Sequence, residues 1–125
     1  METRPALDRL VADLRGAGLT GSHYDPERVD PPAAAWIQPR AIRDVTLGGG
    51  GTLVVWIYLL ALPGEDEGTA EVLGKLDDAL AVLDELGLAL DDSDGDAVDL
   101  TASVLLPDRQ APLPAFRLAV ERDIE

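Results

Sequence analysis

The sequence predicts an α+β domain: a mostly antiparallel sheet of four to five strands with two helices packed on one face, in the order α-β-β-β-α-β-β. Three observations carry that expectation. Two stretches repeat apolar residues at helical spacing, and several shorter ones alternate apolar with polar residues. One further run, Leu53 to Leu62 (LVVWIYLLAL), is apolar at every position in a 125-residue chain of formal net charge -14. Because a strand turns successive side chains to opposite faces, both faces of this ribbon require cover.

The first helix is expected over roughly Pro5 to Ala17. Leu7, Leu10, Val11 and Leu14 recur on one side, with Asp8, Arg9, Asp13 and Arg15 turned away. Thr3 can cap its start, and Gly16 or Gly18 can end it. From Leu19 to Pro32 the chain carries Gly21, Ser22, Asp25, Pro26, Asp30, Pro31 and Pro32, which favour turns, so this stretch reads as a surface loop. Ala33 to Gln38 and Ala41 to Leu47 read as two short strands parted by Pro39-Arg40, since proline cannot donate to a ladder. Gly48 to Gly51 then leads into the apolar ribbon.

After Pro63-Gly64, the acidic Glu65, Asp66 and Glu67 stand where they complement the positive end of a second helix. That helix is expected to run to Leu86 and stop at Gly87, with Val72, Leu73, Leu76, Ala79, Leu80, Leu83 and Leu86 as its apolar stripe and Glu71 and Lys75 as an exposed pair. Asp91 to Asp96 reads as a turn. Val98, Leu100, Ala102, Val104 and Leu106 alternate with Asp99, Thr101 and Ser103 as a half-buried strand. In the last strand Phe116, Leu118, Val120 and Ile124 share a dry face opposite Arg117, Glu121 and Asp123.

Composition bounds the function. Residues 1–125 fit a single domain able to bury about two-thirds of its unfolded surface. With 24 acidic side chains against 10 basic ones, of which only Lys75 is lysine, the chain is poorly suited to grip nucleic-acid phosphates. The same charge keeps copies apart, so any assembly needs apolar or well-paired contacts and gains as salt screens the repulsion. Cysteine is absent, which excludes disulfides and thiolate chemistry. The apolar run is about half the length of a membrane helix, and METRPALDRL lacks an apolar signal core, so synthesis in the cytosol and no membrane partner are expected.

Three stretches carry the residue types of known chemical motifs without their full patterns. Asp92, Asp94 and Asp96 begin like a calcium loop, but Ala97 stands where that loop needs glycine and Ser103 where it needs glutamate, so they read as an acidic turn. Ser22, His23 and Asp25 have the residue types of a hydrolase triad, yet near neighbours in sequence do not converge on one proton-transfer line, and His23 reads as a loop histidine. Gly48 to Gly51 lacks the following helix and terminal lysine of a phosphate loop. No catalytic, cofactor or metal site is expected.

Two helices can cover one face of such a sheet but not both. Either the sheet curls on itself or a neighbouring copy covers the second face, and an uncovered apolar face favours self-association. The candidate contact residues are Gly48, Gly49, Gly50 and Gly51, whose loop has conformational entropy to lose unless a partner orders it, together with Trp56 and Tyr58 as aromatic anchors, although strand aromatics more often belong to a core.

In this texture the chain resembles the tail terminator, or tail-to-head joining, proteins of long-tailed bacteriophages. The matching stretches are LDRLVADLRGAG, the proline-rich DPERVDPPAAAWIQP, the ribbon TLVVWIYLLAL, the crossover helix AEVLGKLDDALAVLDELG, and the closing strands DLTASVLLP and APLPAFRLAVERD. The likeness lies in element order and composition and covers nearly the whole chain. It implies a virion protein of the tail-neck region that forms a homohexameric ring, stops growth of the tail tube, joins it to the head-completion complex and lets genomic DNA pass through the lumen. Carboxylates lining that lumen would repel the DNA phosphates within about 8 to 10 Å. Two other readings fit the same residues: another head-tail connector subunit, such as a head-closure or adaptor protein, and an acidic DNA mimic that inhibits a nucleic-acid-binding enzyme.

Overall fold

In a computed structural model, which describes residues 3–30, 34–60, 69–91, 95–107 and 110–124, the chain forms one α+β domain. Helix α1 (Thr3–Gly16) precedes strands β1 (Ala35–Arg43) and β2 (Gly51–Leu60). Helix α2 (Thr69–Glu85) then crosses to strands β3 (Ala89–Leu90), β4 (Val98–Val104) and β5 (Leu113–Ile124). All strand pairings are antiparallel, in the order β1-β2-β5-β3 with β4 also on β5. The expected fold class is therefore observed. Pro63-Gly64, Glu65 to Glu67, Asp92 and Asp94 lie outside the described residues, as do the side chains of Glu71, Val72, Leu73 and Lys75.

The strands partition differently from expectation. The two short strands around Pro39-Arg40 are one strand, β1, because a bulge between Pro39 and Ala41 absorbs the proline without ending the pairing: Pro39 lies opposite Val55, and Ala41 already opposite Val54. Val45 and Leu47 fall beyond that strand, in the hairpin loop. Conversely, β3 occupies the outer edge of β5 ahead of β4. Leu90 faces Val120 and Val98 faces Leu118, so the chain leaves this edge after β3 and returns to it at β4.

Both helices end in the same way for the same reason. Leu19 N–H donates to Leu14 O at 3.0 Å and Gly18 N–H to Arg15 O, with Gly18 at φ 108; Leu88 N–H donates to Leu83 O at 3.0 Å and Gly87 N–H to Asp84 O, with Gly87 at φ 76. These are Schellman closures, in which the glycine takes a left-handed conformation that side-chain-bearing residues resist. Of the two glycines proposed to stop α1, Gly18 makes the turn.

One face of the sheet carries the main core. Leu10, Leu14 and Leu76 of the helices pack on Ile37, Val55, Ile57, Leu118 and Val120, most of them without measurable exposure. Leu80, from the apolar stripe expected for α2, joins at the margin. A fully buried side chain of this kind contributes about 1.5–3 kcal/mol relative to an exposed one. Arg122 on the same face is held by Asp13 of α1 at 2.9 Å.

Much of the opposite face is covered from within the chain, so of the two alternatives expected for this layer the sheet takes the first and curls on itself. Val54 is 0% exposed, Ala119 5% and Leu60 7%. At one end Val29, Ala34, Val104 and Leu106 close over Leu60 and Ala115, with Trp36 and Tyr58 at the border. At the other end Arg43 Nη1 reaches Asp91 Oδ2 at 3.0 Å. Those two residues belong to opposite edges of the sheet, three strand intervals or about 14 Å apart if it were flat. They meet because the sheet twists and curls toward this face.

Residues 21–30 are not a loose surface loop but a strap on the outer edge of β1. His23 N–H donates to Ala35 O and Ile37 N–H to His23 O at 3.0 Å, a parallel bridge, while Ala35 N–H donates to the fully buried Ser22 Oγ at 3.0 Å. Gly21 is required here, since a Cβ on it would stand 1.8 Å from Asp30 O. Arg15 Nε donates to Ser22 O and Tyr24 Oη to Asp8 Oδ1, which tie the strap to α1.

Candidate assembly surface

Gly48, Gly49, Gly50 and Gly51 form the turn of the β1–β2 hairpin and its first residue in β2. Backbone geometry explains the glycines: Gly49 has φ 144 and Gly50 φ 52, values that favour a residue without Cβ. Asp44 enters the loop at φ 54, a left-handed conformation that aspartate tolerates better than most residues. Thr46 organises the turn. Its backbone N–H donates to Gly50 O and its Oγ1 to Gly49 O, each at 3.2 Å, and Gly49 N–H donates back to Thr46 O. The loop is thus shaped by its own hydrogen bonds, and it presents Val45 at 56% exposure and Leu47 at 108%.

Trp56 and Tyr58 are not at this tip. They lie five and seven residues along β2, about 17 Å or more from Gly51, on the curled face. Trp56 is half-buried beneath two guanidinium groups, those of Arg40 at 4.1 Å and Arg117 at 4.3 Å from its ring centroid. The Arg40 position follows from the bulge in β1, and that of Arg117 from its place diagonal to Trp56 on β5. Arg117 Nη2 also donates to Asp96 O at 2.9 Å. Tyr58 stacks on Trp36 with centroids 5.2 Å apart, and Trp36 Nε1 donates to Tyr24 O at 3.1 Å. These aromatics are engaged within the chain. The structure therefore separates the six candidate contact residues into a protruding glycine tip and an internal aromatic layer.

Three further exposed apolar side chains are spread along the other side of β5: Leu90 in β3 at 50%, Leu100 in β4 at 52% and Leu105, just past β4, at 61%. Sequence alternation placed Leu100 inside. It is turned out because the exposed Asp99 carboxylate accepts hydrogen bonds from Thr101 N–H at 2.8 Å and Thr101 Oγ1 at 2.9 Å, a local turn that bulges β4 between Asp99 and Ala102 and breaks the alternation. These hydrogen bonds, the backbone one foremost, hold the Asp99 carboxyl below its ordinary pKa. The signal available in the sequence was Asp99 followed two residues later by threonine, a side-chain turn motif. For Leu47 the signal was its position directly before four glycines, with Val45 two residues ahead of it.

The strap brings Ser22, His23 and Asp25 together without making a triad. His23 Nδ1 accepts the Asp25 backbone N–H at 2.8 Å, its ring lies 4.4 Å from that of Tyr24, and Ser22 Oγ is occupied by Ala35 N–H. Asp25 Oδ1 accepts Glu27 N–H at the start of the short turn Pro26–Arg28. Burial, then the nearby Arg28 and Arg15, press the His23 pKa below 6.5, against smaller opposing effects of Asp25 and Asp8. A neutral ring with Nδ1 committed as acceptor is a structural latch. Among the described residues no cluster of three or more His, Cys, Asp or Glu is arranged to hold a metal ion, and no helix is long and apolar enough to cross a membrane. The chain matches no protein-family model, no curated protein and no solved structure.

Proposed function

We propose that this chain is a structural subunit that assembles with copies of itself, in the manner of the phage tail terminators its sequence resembles: a ring that closes the tail tube, meets the head-completion complex and passes genomic DNA through its lumen. The observation that carries the reading is the pair of exposed apolar groups on unlike edges of one sheet, Val45 and Leu47 at the hairpin and Leu90, Leu100 and Leu105 on the β3–β4 edge. Large apolar side chains left exposed at more than one place suit contact with other copies. Unlike surfaces on one subunit permit head-to-tail contacts, which close into rings when the rotation permits. The α+β element order supports the same reading. An acidic chain also suits a lumen through which DNA must slide without sticking.

The test is mass in solution with imaging of the particles. Light scattering and native mass spectrometry of concentrated protein are expected to give six times the 13.3 kDa of one chain, and negative-stain images a ring with sixfold symmetry. A strict monomer at high concentration, including in the presence of tail tubes, would overturn the assembly reading. A ring that binds the portal side of the neck rather than the tube end would transfer the protein to the connector class.

A further inference from the structure

We propose that Arg40, Arg117 and Gln38, grouped around Trp56 in the middle of the curled face, form a binding site for a small phosphate-bearing ligand. The site is independent of self-assembly. That face is closed at one end by Val104 and Leu106 and at the other by the pair of Arg43 and Asp91. Between these covers Trp56, Arg117 and Gln38 stay half-buried and Arg40 exposed. Both guanidinium Cζ atoms lie within 4.3 Å of the one indole centroid, so the two forks stand no further apart than twice that distance. Each fork reaches an acceptor oxygen at about 2.7–2.9 Å, which lets one tetrahedral oxyanion at the ring edge receive N–H groups from both.

Most of the donors are unspent. A guanidinium laid over an aromatic face is oriented by its flat surface and keeps its N–H edge for an acceptor. Among the described residues Arg40 makes no hydrogen bond or ion pair; the indole of Trp56 is what holds it. Arg117 gives Nη2 to Asp96 O, but its Nε is buried without an acceptor. An unmet buried donor is destabilising, and an anion drawn to the same guanidinium offsets that cost. Asp99 stands opposite Arg117 in the β4–β5 register, yet its carboxylate accepts from Thr101 N–H and Oγ1. Gln38 stands opposite Trp56, and its Oε1 accepts from Tyr58 Oη at 3.4 Å, which leaves its amide N–H groups as a third source of donors.

Charge selects the ligand. Two guanidiniums carry two positive charges, and a phosphate monoester near pH 7 carries about -1.5 to -2 with three strong acceptor oxygens. A carboxylate offers one charge and two oxygens, which would leave one fork unmatched. The net charge of -14 repels an extended polyanion, so the occupant is a small phosphate and not a nucleic-acid backbone.

Isothermal titration calorimetry of the full chain at low ionic strength tests the site, with inorganic phosphate, glycerol phosphate, acetate and a single-stranded oligonucleotide as titrants. Saturable binding of both phosphates is expected, with acetate about tenfold weaker or more. Arg40→Gln changes an exposed side chain outside the core and is expected to weaken phosphate binding about tenfold or more. Arg40→Lys, which keeps the charge but not the fork, is expected to recover only part of that loss. Arg117→Gln is expected to match Arg40→Gln; should thermal melts show it unfolded, the Arg40 variants decide alone. Arg9→Gln, on the exposed side of α1, is expected to bind as wild type does. Absence of saturable phosphate binding would overturn the site, and so would an equal loss in Arg9→Gln, which would mean diffuse attraction. Acetate bound as tightly as phosphate, or the oligonucleotide bound more tightly, would overturn the choice of ligand.

Discussion

At the scale of single residues, His23 shows how a side chain can be functional-looking and yet structural. Its Nδ1 accepts a backbone N–H, its backbone pairs with β1, and its neighbours Ser22 and Tyr24 bind β1 and α1. Protonation puts a hydrogen on the accepting nitrogen and places a cation beside Arg15 and Arg28. The folded chain therefore holds its proton less tightly than the unfolded chain, whose value is the ordinary 6.5. The sign follows from linkage: the contribution to stability is complete above 6.5 and is lost as pH falls through 6.5 toward the lowered folded value. Urea unfolding at pH 7.5 and 5.5 is expected to show wild type losing more stability on acidification than His23→Asn, whose side-chain oxygen can replace Nδ1 as acceptor without titrating. Equal losses would remove His23 from the latch. The depressed Asp99 belongs to a different window, since its contribution fades only below the ordinary carboxyl range near 3.8.

At the scale of elements, what the sequence made legible were helices and the faces of strands. Leu7, Leu10, Val11 and Leu14 are buried as their spacing requires, and Phe116, Leu118, Val120 and Ile124 lie on the dry face of β5. Gly87 was legible as a helix stop, and the Schellman closure gives its role a magnitude. Gly87→Ala must hold φ 76 with a Cβ present, so a loss of about 1–2 kcal/mol is expected in chemical denaturation, although the glycine has no steric neighbour within 4 Å. A neutral result would show that the turn can relax. The bulges were not legible. Pro39 signalled a break, but a proline beside an edge can be accommodated by one unpaired residue, and only the register shift from Pro39 opposite Val55 to Ala41 opposite Val54 shows that it was. The outward turn of Leu100 depends likewise on the two hydrogen bonds that the Asp99 carboxylate accepts from Thr101 N–H and Oγ1.

At the scale of the whole molecule, charge and curvature set the terms for association. Copies carrying -14 each repel at long range, and that repulsion is screened between low and physiological salt, where the Debye length falls from about 30 to 8 Å. Apolar contacts between copies that exclude water are screened far less. Self-association is therefore expected to tighten as salt is raised from about 10 to 150 mM, measurable by sedimentation equilibrium; steady weakening over that range would mean that attraction between opposite charges, not apolar contact, dominates. Curvature answers the question posed by the ribbon Leu53 to Leu62. Its described part, Leu53 to Leu60, is covered on one face by the helices and on the other in part by the curled sheet and its loops, with Trp56 and Tyr58 half-buried there.

The sequence alone determined the fold class, the positions of both helices, the helix-ending glycines and the doubly apolar strand, because periodicity and backbone preference are properties of a local stretch of chain. It also placed the candidate glycine loop. Only the tertiary structure decided that Pro39-Arg40 is a bulge, that Trp56 is held by Arg40 and Arg117, that residues 21–30 close one edge, and that Val45, Leu47, Leu90, Leu100 and Leu105 remain outside. Those features depend on which residues meet across strands, and cross-strand register is fixed by the packing of the whole sheet, not by any segment within it.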